Sequence, residues 1–228
     1  MALGTHNIAV TEDELMAHLT FDPTPRSNGV WGDPYTGFVG SINGRMLQTG
    51  YGVYWDPIAQ LGKRYAQTHV IKNGSATMLA QHITAGNPVI IWGHSENPTV
   101  ATWQTPTEKM IQGINGEHTR VVYGFDGTVK NPTRFYLMDP DVGQRTWSTA
   151  ELMNNWDSFQ HSGVVVAPKK PRWVRIPGET KVWEINREGE LRQWVTTWAR
   201  LVARGGTGDI APIDLKSLAA YRVGQAID

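Results

Sequence analysis

The chain of 228 residues contains no cysteine. This excludes disulfide bonds, thiolate metal sites and a cysteine nucleophile within these residues. It leaves the cellular compartment open, because proteins without disulfides occur on both sides of a membrane. The seven histidines are scattered, without an HExxH motif or a pair at the spacing of helical metal ligands. We therefore expect neither a metal nor a cofactor.

Long apolar runs and an excess of one charge are also missing. No stretch of about 18 apolar residues occurs, so the sequence predicts no transmembrane helix. The start, MALGTHNIAVTEDEL, lacks a basic segment followed by an apolar one, so no signal peptide is visible. Lys and Arg number 21, as do Asp and Glu. A neutral chain without a basic patch indicates no nucleic-acid partner.

Helix signals dominate the first third of the sequence. A short helix is predicted in TEDELMAHL, where Thr11 and Glu14 form a capping box. A second helix is predicted with Asp56 as its cap and Pro57 at its first position. A third is predicted over residues 75–86, which begin with serine and end with glycine.

Strand signals follow the helices. Runs rich in β-branched and aromatic residues predict strands at 87–95, 118–125, 134–139 and 162–168. Helices that precede a mostly antiparallel sheet indicate an α+β fold rather than an alternating α/β fold.

The end of the chain predicts a second domain. PKKPR, residues 168–172, is typical of a linker after a first domain over residues 1–167. Residues 173–228 alternate short β-type runs with turns at Pro177-Gly178 and Glu188-Gly189, which predicts a small, mostly β module. A module this short is marginally stable alone, so we expect it to dock on the first domain.

One hairpin brings two catalytic residue types together. The sequence FDGTVKNPTRF separates a strand that begins at His118 from one that ends at Asp139. If the loop is centred near residues 128–129, opposite residues have numbers that add to about 257, and His118 then faces Asp139 at a Cβ distance of roughly 5 Å. An aspartate so placed fixes the tautomer of the imidazole and leaves its other nitrogen free. The alternative is structural, because a histidine at a strand start is usually an edge residue and Asp-Pro usually starts a turn.

Several motifs together resemble one family. These motifs are GDPYTGFVG (32–40), GYGVYWDPIAQLGKRY (50–65), AGNPVIIWG (85–93), GEHTRVVYGFDG (116–127) and YLMDPDVGQRTWSTAELMNNW (136–156). In this order they resemble the bacterial papain-fold cysteine peptidases related to the bacteriocin leader peptidases, over about residues 1–167. The resemblance implies a papain-like peptidase domain. It also implies that His118 is the triad histidine and Asp139 its third member.

The sequence departs from that family at the nucleophile. The family has a cysteine at the start of an N-terminal helix and a glutamine shortly before it, and neither has a counterpart in this sequence. MALG, residues 1–4, resembles the last turn of that helix. Two explanations stay open: the sequence is truncated, or the protein has lost the nucleophile and kept the fold. We expect hydrolysis of amide or peptide bonds in a complete protein and none from these 228 residues.

Aromatic residues suggest where ligands bind. Tyr35 and Phe38 offer flat contact area in a loop that either walls a substrate groove or packs over the helices. Trp92 is a third candidate for substrate contact, although core packing suits it better. In the C-terminal module, three tryptophans could stack on sugar or pack a core: Trp183, Trp194 and Trp198.

Three hypotheses follow for the function. The first is a cysteine peptidase that lacks its nucleophile, and the second is a non-enzymatic relative that binds a peptide or cell-wall fragment in the same groove. The third is a purely structural envelope domain. An unformed groove beside His118 would favour this third hypothesis. The expected partners are a peptide or protein substrate and, through the C-terminal module, a cell-wall glycan. The family also implies a bacterial protein that is exported or secreted.

Overall fold

The computed structural model shows two compact units, Met1–Pro168 and Lys169–Asp228. The structure describes residues 1–169, 172–185, 191–204, 206 and 210–227, without the side chain of residue 96. The predicted turn at 188–189 and residues 170–171 of the predicted linker lie outside this range. Strands and helices are interleaved along the chain, so the predicted order of helices before strands is wrong. The six-stranded sheet is antiparallel throughout, which confirms the predicted α+β class.

The N-terminal unit carries four α-helices and nine strands. The helices are α1 (Glu12–His18), α2 (Trp55–Gly62), α3 (Ala76–Thr84) and α4 (Thr149–Asp157). The strands are β1 (Phe21–Asp22), β2 (Phe38–Gly40), β3 (Gly50–Gly52), β4 (Gln67–Ile71), β5 (Val89–Gln104), β6 (Met110–Gly127), β7 (Pro132–Asp139), β8 (Gly143–Ser148) and β9 (Gly163–Ala167).

A six-stranded antiparallel sheet organises this unit. Its strand order is β4-β9-β5-β6-β7-β8, while β1, β2 and β3 form a small separate sheet. Successive side chains of a strand point to opposite faces. Val121 accordingly packs in one buried cluster with Trp55 and Trp92, and Val122 packs in another with Leu79. The sheet therefore separates two cores, one covered by α2 and the other by α3 and α4.

Local capping explains where the helices begin, with two corrections to the predictions. Thr11 accepts a hydrogen bond from the backbone of Glu14, but the reciprocal half of the predicted capping box is missing. The Glu14 carboxylate accepts from the Tyr65 hydroxyl instead, at 3.2 Å. The predicted cap at Asp56 is also wrong: α2 begins at Trp55, two residues before the predicted first position at Pro57, and Asp56 lies in its first turn. There a carboxylate still favours the helix dipole.

The predicted strands at 87–95 and 118–125 are much longer than their sequence signals. β5 and β6 continue as a two-stranded arm that closes in a turn, where the backbone of Thr105 donates to Lys109 at 2.8 Å. The ladder shifts register between His94 and Thr99, which is a bulge in β5. This arm places His118 beside the bulge rather than at a strand start.

The C-terminal unit contains a five-stranded sheet and two short helices among its described residues. The sheet order is β13-β10-β11-β12-β14. The elements are β10 (Trp173–Arg175), β11 (Val182–Ile185), β12 (Leu191–Val195), α5 (Trp198–Ala203), β13 (Ile210–Pro212), α6 (Leu215–Ala219) and β14 (Arg222–Val223). The predicted turn at Pro177-Gly178 is present, with the backbone of Glu179 donating to Ile176 at 3.0 Å.

None of the helices among the described residues is long and apolar enough to span a membrane.

Candidate active site

A histidine and an aspartate meet at one end of the large sheet. The Nε2 atom of His118 lies 3.0 Å from Oδ1 of Asp139, a hydrogen-bonding distance at which the ring nitrogen donates to the carboxylate. Asp139 is the last residue of β7 and is 3% exposed. Nδ1 of His118 lies on the side of Asp141, 3.8 Å from its carboxylate. The pair therefore has one ring nitrogen held and one available to a reacting proton.

The register that joins the two residues differs from the predicted one. Val121 pairs with Met138, and continuing this ladder places Arg120 opposite Asp139. The prediction that His118 directly faces Asp139 is wrong by two residues. The offset arises at the turn, because Gly127 pairs with Pro132 and the loop is centred one residue later than predicted. The extra residues at Thr133 in β7 and at Tyr123 in β6 offset each other. Because an even shift keeps a side chain on its own face, His118 still reaches Asp139 diagonally.

Arg120 is the site residue that the sequence argument missed. Its Nε donates to Oδ2 of Asp139 at 2.8 Å, and its guanidinium stacks on the Trp147 ring at 4.7 Å from the centroid. Arg120 is buried, and it faces the same side of the sheet as His118. One signal was present in the sequence: a charged residue inside the apolar run HTRVVY is unusual for a buried strand.

The neighbours of Asp139 keep its carboxyl group ionised. Burial alone would raise its pKa, but hydrogen bonds from the backbone of Asp141, from His118 and from Arg120 outweigh that effect. Together with the charge of His118 they lower the pKa of Asp139 to about 2. The carboxylate is therefore ionised over the whole physiological range, as an orienting partner of an imidazole must be.

An asparagine from α4 fixes the strand beside His118. The side chain of Asn155 accepts from the backbone N–H of His94 at 3.2 Å and donates to the His94 carbonyl at 2.9 Å. The neighbouring Gly93 leaves room for this amide, because a Cβ at that position would collide with Asn155. Gly93 and His118 are directly paired across the ladder. The bulge and the histidine are thus held in one geometry.

These residues line an open cleft of about 520 Å³. The wall includes two arginines, two histidines, two aspartates and the partly buried Trp147. The ligand atoms of His118, Asp139 and Asp141 lie within 4.8 Å of one another, and among the described residues they form the group that could hold a metal. Arg120 at 2.8 Å and Arg145 at 3.6 Å already neutralise Asp139, so the charge balance does not favour a cation.

The three predicted substrate residues lie apart from this cleft. Trp92 is 1% exposed and its indole donates to the carbonyl of Val53, which places it in the core. Tyr35 packs its edge against Tyr54, and the ammonium of Lys109 lies 4.2 Å from its ring centroid. The structure brings His118 and Asp139 together but places none of the three in the wall around them. Their role in substrate binding stays a prediction.

A second, mostly apolar cavity of about 590 Å³ lies on the other face of the sheet. Phe38, Trp92 and residues 1–4 contribute to its wall. Glu117 lines it as well, one residue before His118 but pointing to the opposite face. Among the described residues, no hydrogen bond or ion pair reaches the carboxyl of Glu117, and burial raises its pKa to about 8. Glu117 is therefore a partly buried acid that is mostly neutral at pH 7.

The comparisons with known proteins identify the family of the chain. Residues 1–164 match the model of the Peptidase C39 like family. The chain belongs to the Peptidase C39 like family. It is 35% identical over 173 residues to the uncharacterized protein YvpB of Bacillus subtilis (strain 168). That alignment covers 73% of this chain and 65% of YvpB, so the chain spans slightly less than two thirds of this relative.

A solved structure supports the fold of this C39-like chain. The crystal structure of a C39-like peptidase from Bacillus anthracis superposes with a TM-score of 0.61 at 24% identity. The match covers 74% of this chain and 85% of that chain. At this identity the likeness concerns the arrangement of helices and strands, and it confirms the predicted fold class.

Proposed function

We propose that the N-terminal unit is a cysteine-peptidase domain in which His118 is the general base and Asp139 orients it. In a complete enzyme a cysteine attacks the carbonyl of an amide or peptide bond, and His118 takes the thiol proton and later protonates the leaving amine. The 228 residues contain no cysteine. The proposal therefore assigns amide hydrolysis to a complete protein and inactivity to this chain.

The observation that carries the proposal is the contact of 3.0 Å between His118 and Asp139 at the edge of an open cleft. An ionised aspartate fixes the proton on Nε2, which leaves the lone pair of Nδ1 for a thiol. The same contact in an unrelated protein would be weak support, since paired histidines and aspartates also occur as structural groups. Membership in a peptidase-like family favours the catalytic interpretation.

The absent thiol removes the covalent route. Without a nucleophile no acyl-enzyme forms, and water would have to attack the amide directly. His118 could assist that attack as a base, but stabilisation of the oxyanion is usually the larger contribution to catalysis. A base with an orienting aspartate is therefore insufficient for measurable turnover.

We expect no hydrolysis when the purified chain is incubated with a fluorogenic peptide library and with casein at pH 7. The readout is release of the fluorophore and of free amines, compared with buffer and with the His118→Ala variant. The wild type and the variant should both match buffer. Turnover by the wild type that His118→Ala abolishes would overturn the assignment of inactivity. A papain control shows that the assay works.

A second candidate is a pseudo-peptidase that binds a peptide or a wall fragment in the same groove. The formed cleft favours it, because the walls around His118 are held by Asn155 and Arg120 without any nucleophile. A formed groove also counts against a purely structural role. Calorimetric titration of the peptide library into the chain tests this candidate. Binding that Arg145→Ala weakens supports it, and no heat from any peptide pool rejects it.

The remaining partners and the location are proposals as well. We propose a peptide or protein as the substrate of the N-terminal unit, and a cell-wall glycan as the ligand of the C-terminal unit. Both suit a bacterial protein that is exported or secreted. The support is indirect: both similar proteins come from species of Bacillus. Recovery of the protein only from the cytoplasm of the producing cell would reject this location.

A further inference from the structure

The C-terminal unit contains a cleft of its own, with a volume of about 420 Å³. It lies where β12 ends and β11 begins, since these strands are antiparallel neighbours with Val182 paired to Val195. Nine residues line it: Thr180, Lys181, Val182, Trp194, Val195, Thr196, Thr197, Trp198 and Leu201. All nine belong to the described part of this unit, so the cleft is a feature of the unit alone.

The structure separates the three tryptophans that the sequence left undecided. Trp183 is partly buried against Leu218, and its indole nitrogen is buried without a partner among the described residues. Trp194 is 38% exposed and Trp198 is 62% exposed, and both line the cleft. Trp183 therefore contributes to the core, while the other two present indole surface to a ligand. Two exposed indoles in one cleft are typical of a binding site.

Three threonines supply hydrogen-bonding capacity beside the indoles. The hydroxyl of Thr196 donates to the carbonyl of Ile227 at 2.9 Å, so its lone pairs stay available. The hydroxyl of Thr197 accepts from the backbone of Arg200 at 3.2 Å, so its proton stays available. Thr180 is exposed. Acceptors and donors next to aromatic surface suit the hydroxyl groups and flat C–H faces of a sugar ring.

The positive charge of this unit indicates which class of sugar the cleft would bind. The ammonium of Lys181 lies 4.2 Å from the ring centroid of Trp194, at the wall of the cleft. Residues 169–228 contain eleven Lys and Arg against seven Asp and Glu, although the whole chain is neutral. A basic unit attracts anions over a distance set by the ionic strength. The ligand that fits both features is a sugar that carries a carboxylate.

We propose that this cleft binds an oligosaccharide bearing carboxylate groups. Trp194 and Trp198 stack on its rings, the threonines bind its hydroxyls, and Lys181 pairs with a carboxylate. This inference rests on the glycan role proposed above for the C-terminal unit, and adds the residues and the charge of the ligand. It is independent of the peptidase proposal, because it involves no hydrolysis.

The test is calorimetric titration of the full chain with two soluble probes. The probes are a tetramer of galacturonic acid, which carries carboxylates, and a tetramer of N-acetylglucosamine, which is neutral. We expect the charged probe to bind at least about tenfold more tightly at 50 mM salt, and raising the salt to 300 mM should weaken its binding. Trp198→Ala should weaken both probes about tenfold or more. Lys181→Met should remove only the preference for the charged probe.

Control variants separate the site from the fold. Leu215→Ala removes an equally exposed apolar side chain of the same unit, 69% exposed and outside the cleft, and should leave both affinities unchanged. Trp194→Ala gives a second test if Trp198→Ala unfolds, which circular dichroism will show.

Each contrary outcome rejects a different part of the proposal. Failure of both probes to bind rejects the glycan role itself. Binding that neither tryptophan variant changes rejects this cleft, and tighter binding of the neutral probe rejects the carboxylate. Self-association of the free chain that Trp198→Ala abolishes would show that the cleft is a contact between two copies.

Discussion

Replacing Asp139 with alanine is expected to lower the free energy of unfolding by about 3–5 kcal/mol. The variant leaves Arg120, which is 5% exposed, with a buried guanidinium that has lost its partner at 2.8 Å. It also removes the acceptor of His118. Breaking a buried ion pair from one side is costly because the remaining charge stays desolvated. Urea denaturation at pH 7 measures the change.

Asp141→Ala is the matched control for that experiment. Asp141 lies two residues away and its side chain is 78% exposed, while its backbone N–H, which donates to Asp139, is retained in the variant. We expect a change of less than about 0.5 kcal/mol. Equal losses in Asp139→Ala and Asp141→Ala would contradict the buried pair. A loss below about 1 kcal/mol in Asp139→Ala would do so too.

The contacts of Asp139 should also affect how the free energy of unfolding depends on pH. The pKa of Asp139 is lowered to about 2, so the folded protein binds fewer protons than the unfolded chain between that pH and the ordinary value of 3.8. Its stabilisation is complete above about pH 4 and is lost as the pH falls towards 2. The wild type should therefore lose more stability than Asp139→Ala over this interval.

The second large effect is expected at Glu117, where glutamine should stabilise the protein at pH 8. Burial raises the pKa of Glu117 from 4.5 to about 8, so the folded protein holds a proton that the unfolded chain releases. Stability therefore falls as the pH rises through this interval. Glutamine keeps a similar shape and does not ionise, so Glu117→Gln avoids the loss. We expect a gain on the order of 2 kcal/mol at pH 8 and almost none at pH 4.

Urea denaturation at both pH values checks this, with Glu108→Gln as the control. Glu108 is exposed in the turn between β5 and β6, and the same chemical change there should leave the stability within about 0.5 kcal/mol at either pH. A gain from Glu117→Gln that is equal at pH 4 and pH 8 would contradict the partly buried neutral acid. A loss at pH 8 would show instead that the carboxylate is ionised and held by favourable contacts.

The contact between His118 and Asp139 could be predicted from the sequence because its evidence is local. Asp126-Gly127 and Asn131-Pro132 mark a turn, and the turn fixes which two strand ends meet. The register within the hairpin could not be predicted, since the turn signals do not show that Gly127 pairs with Pro132, which centres the loop one residue later than predicted. Arg120 therefore lies opposite Asp139, at the position predicted for His118. The hydrogen bond between His118 and Asp139 still forms, because a register shift of two residues keeps His118 on the same face of the sheet.

Other features depend on distant contacts and had no local signal. The arm formed by β5 and β6 contains Pro98 and several glycines, which predict turns rather than the long ladder that is present. Asn155 fixes the strand at His94 from a helix about sixty residues later in the chain, and no spacing rule predicts this. Trp194 and Trp198 resemble the core tryptophans in sequence, and the difference in exposure appears only in the folded unit.

The measurement that tests the account most directly is nitrogen-15 NMR of the imidazole of His118 at pH 8. The hydrogen bond of 3.0 Å to Asp139 predicts a proton on Nε2 that exchanges slowly with water, and a lone pair on Nδ1. His69, which is exposed on β4, is the internal reference for rapid exchange. A proton on Nδ1 of His118, or a ring proton on Nε2 that exchanges as fast as the ring proton of His69, would contradict the assignment of His118 as a base oriented by Asp139.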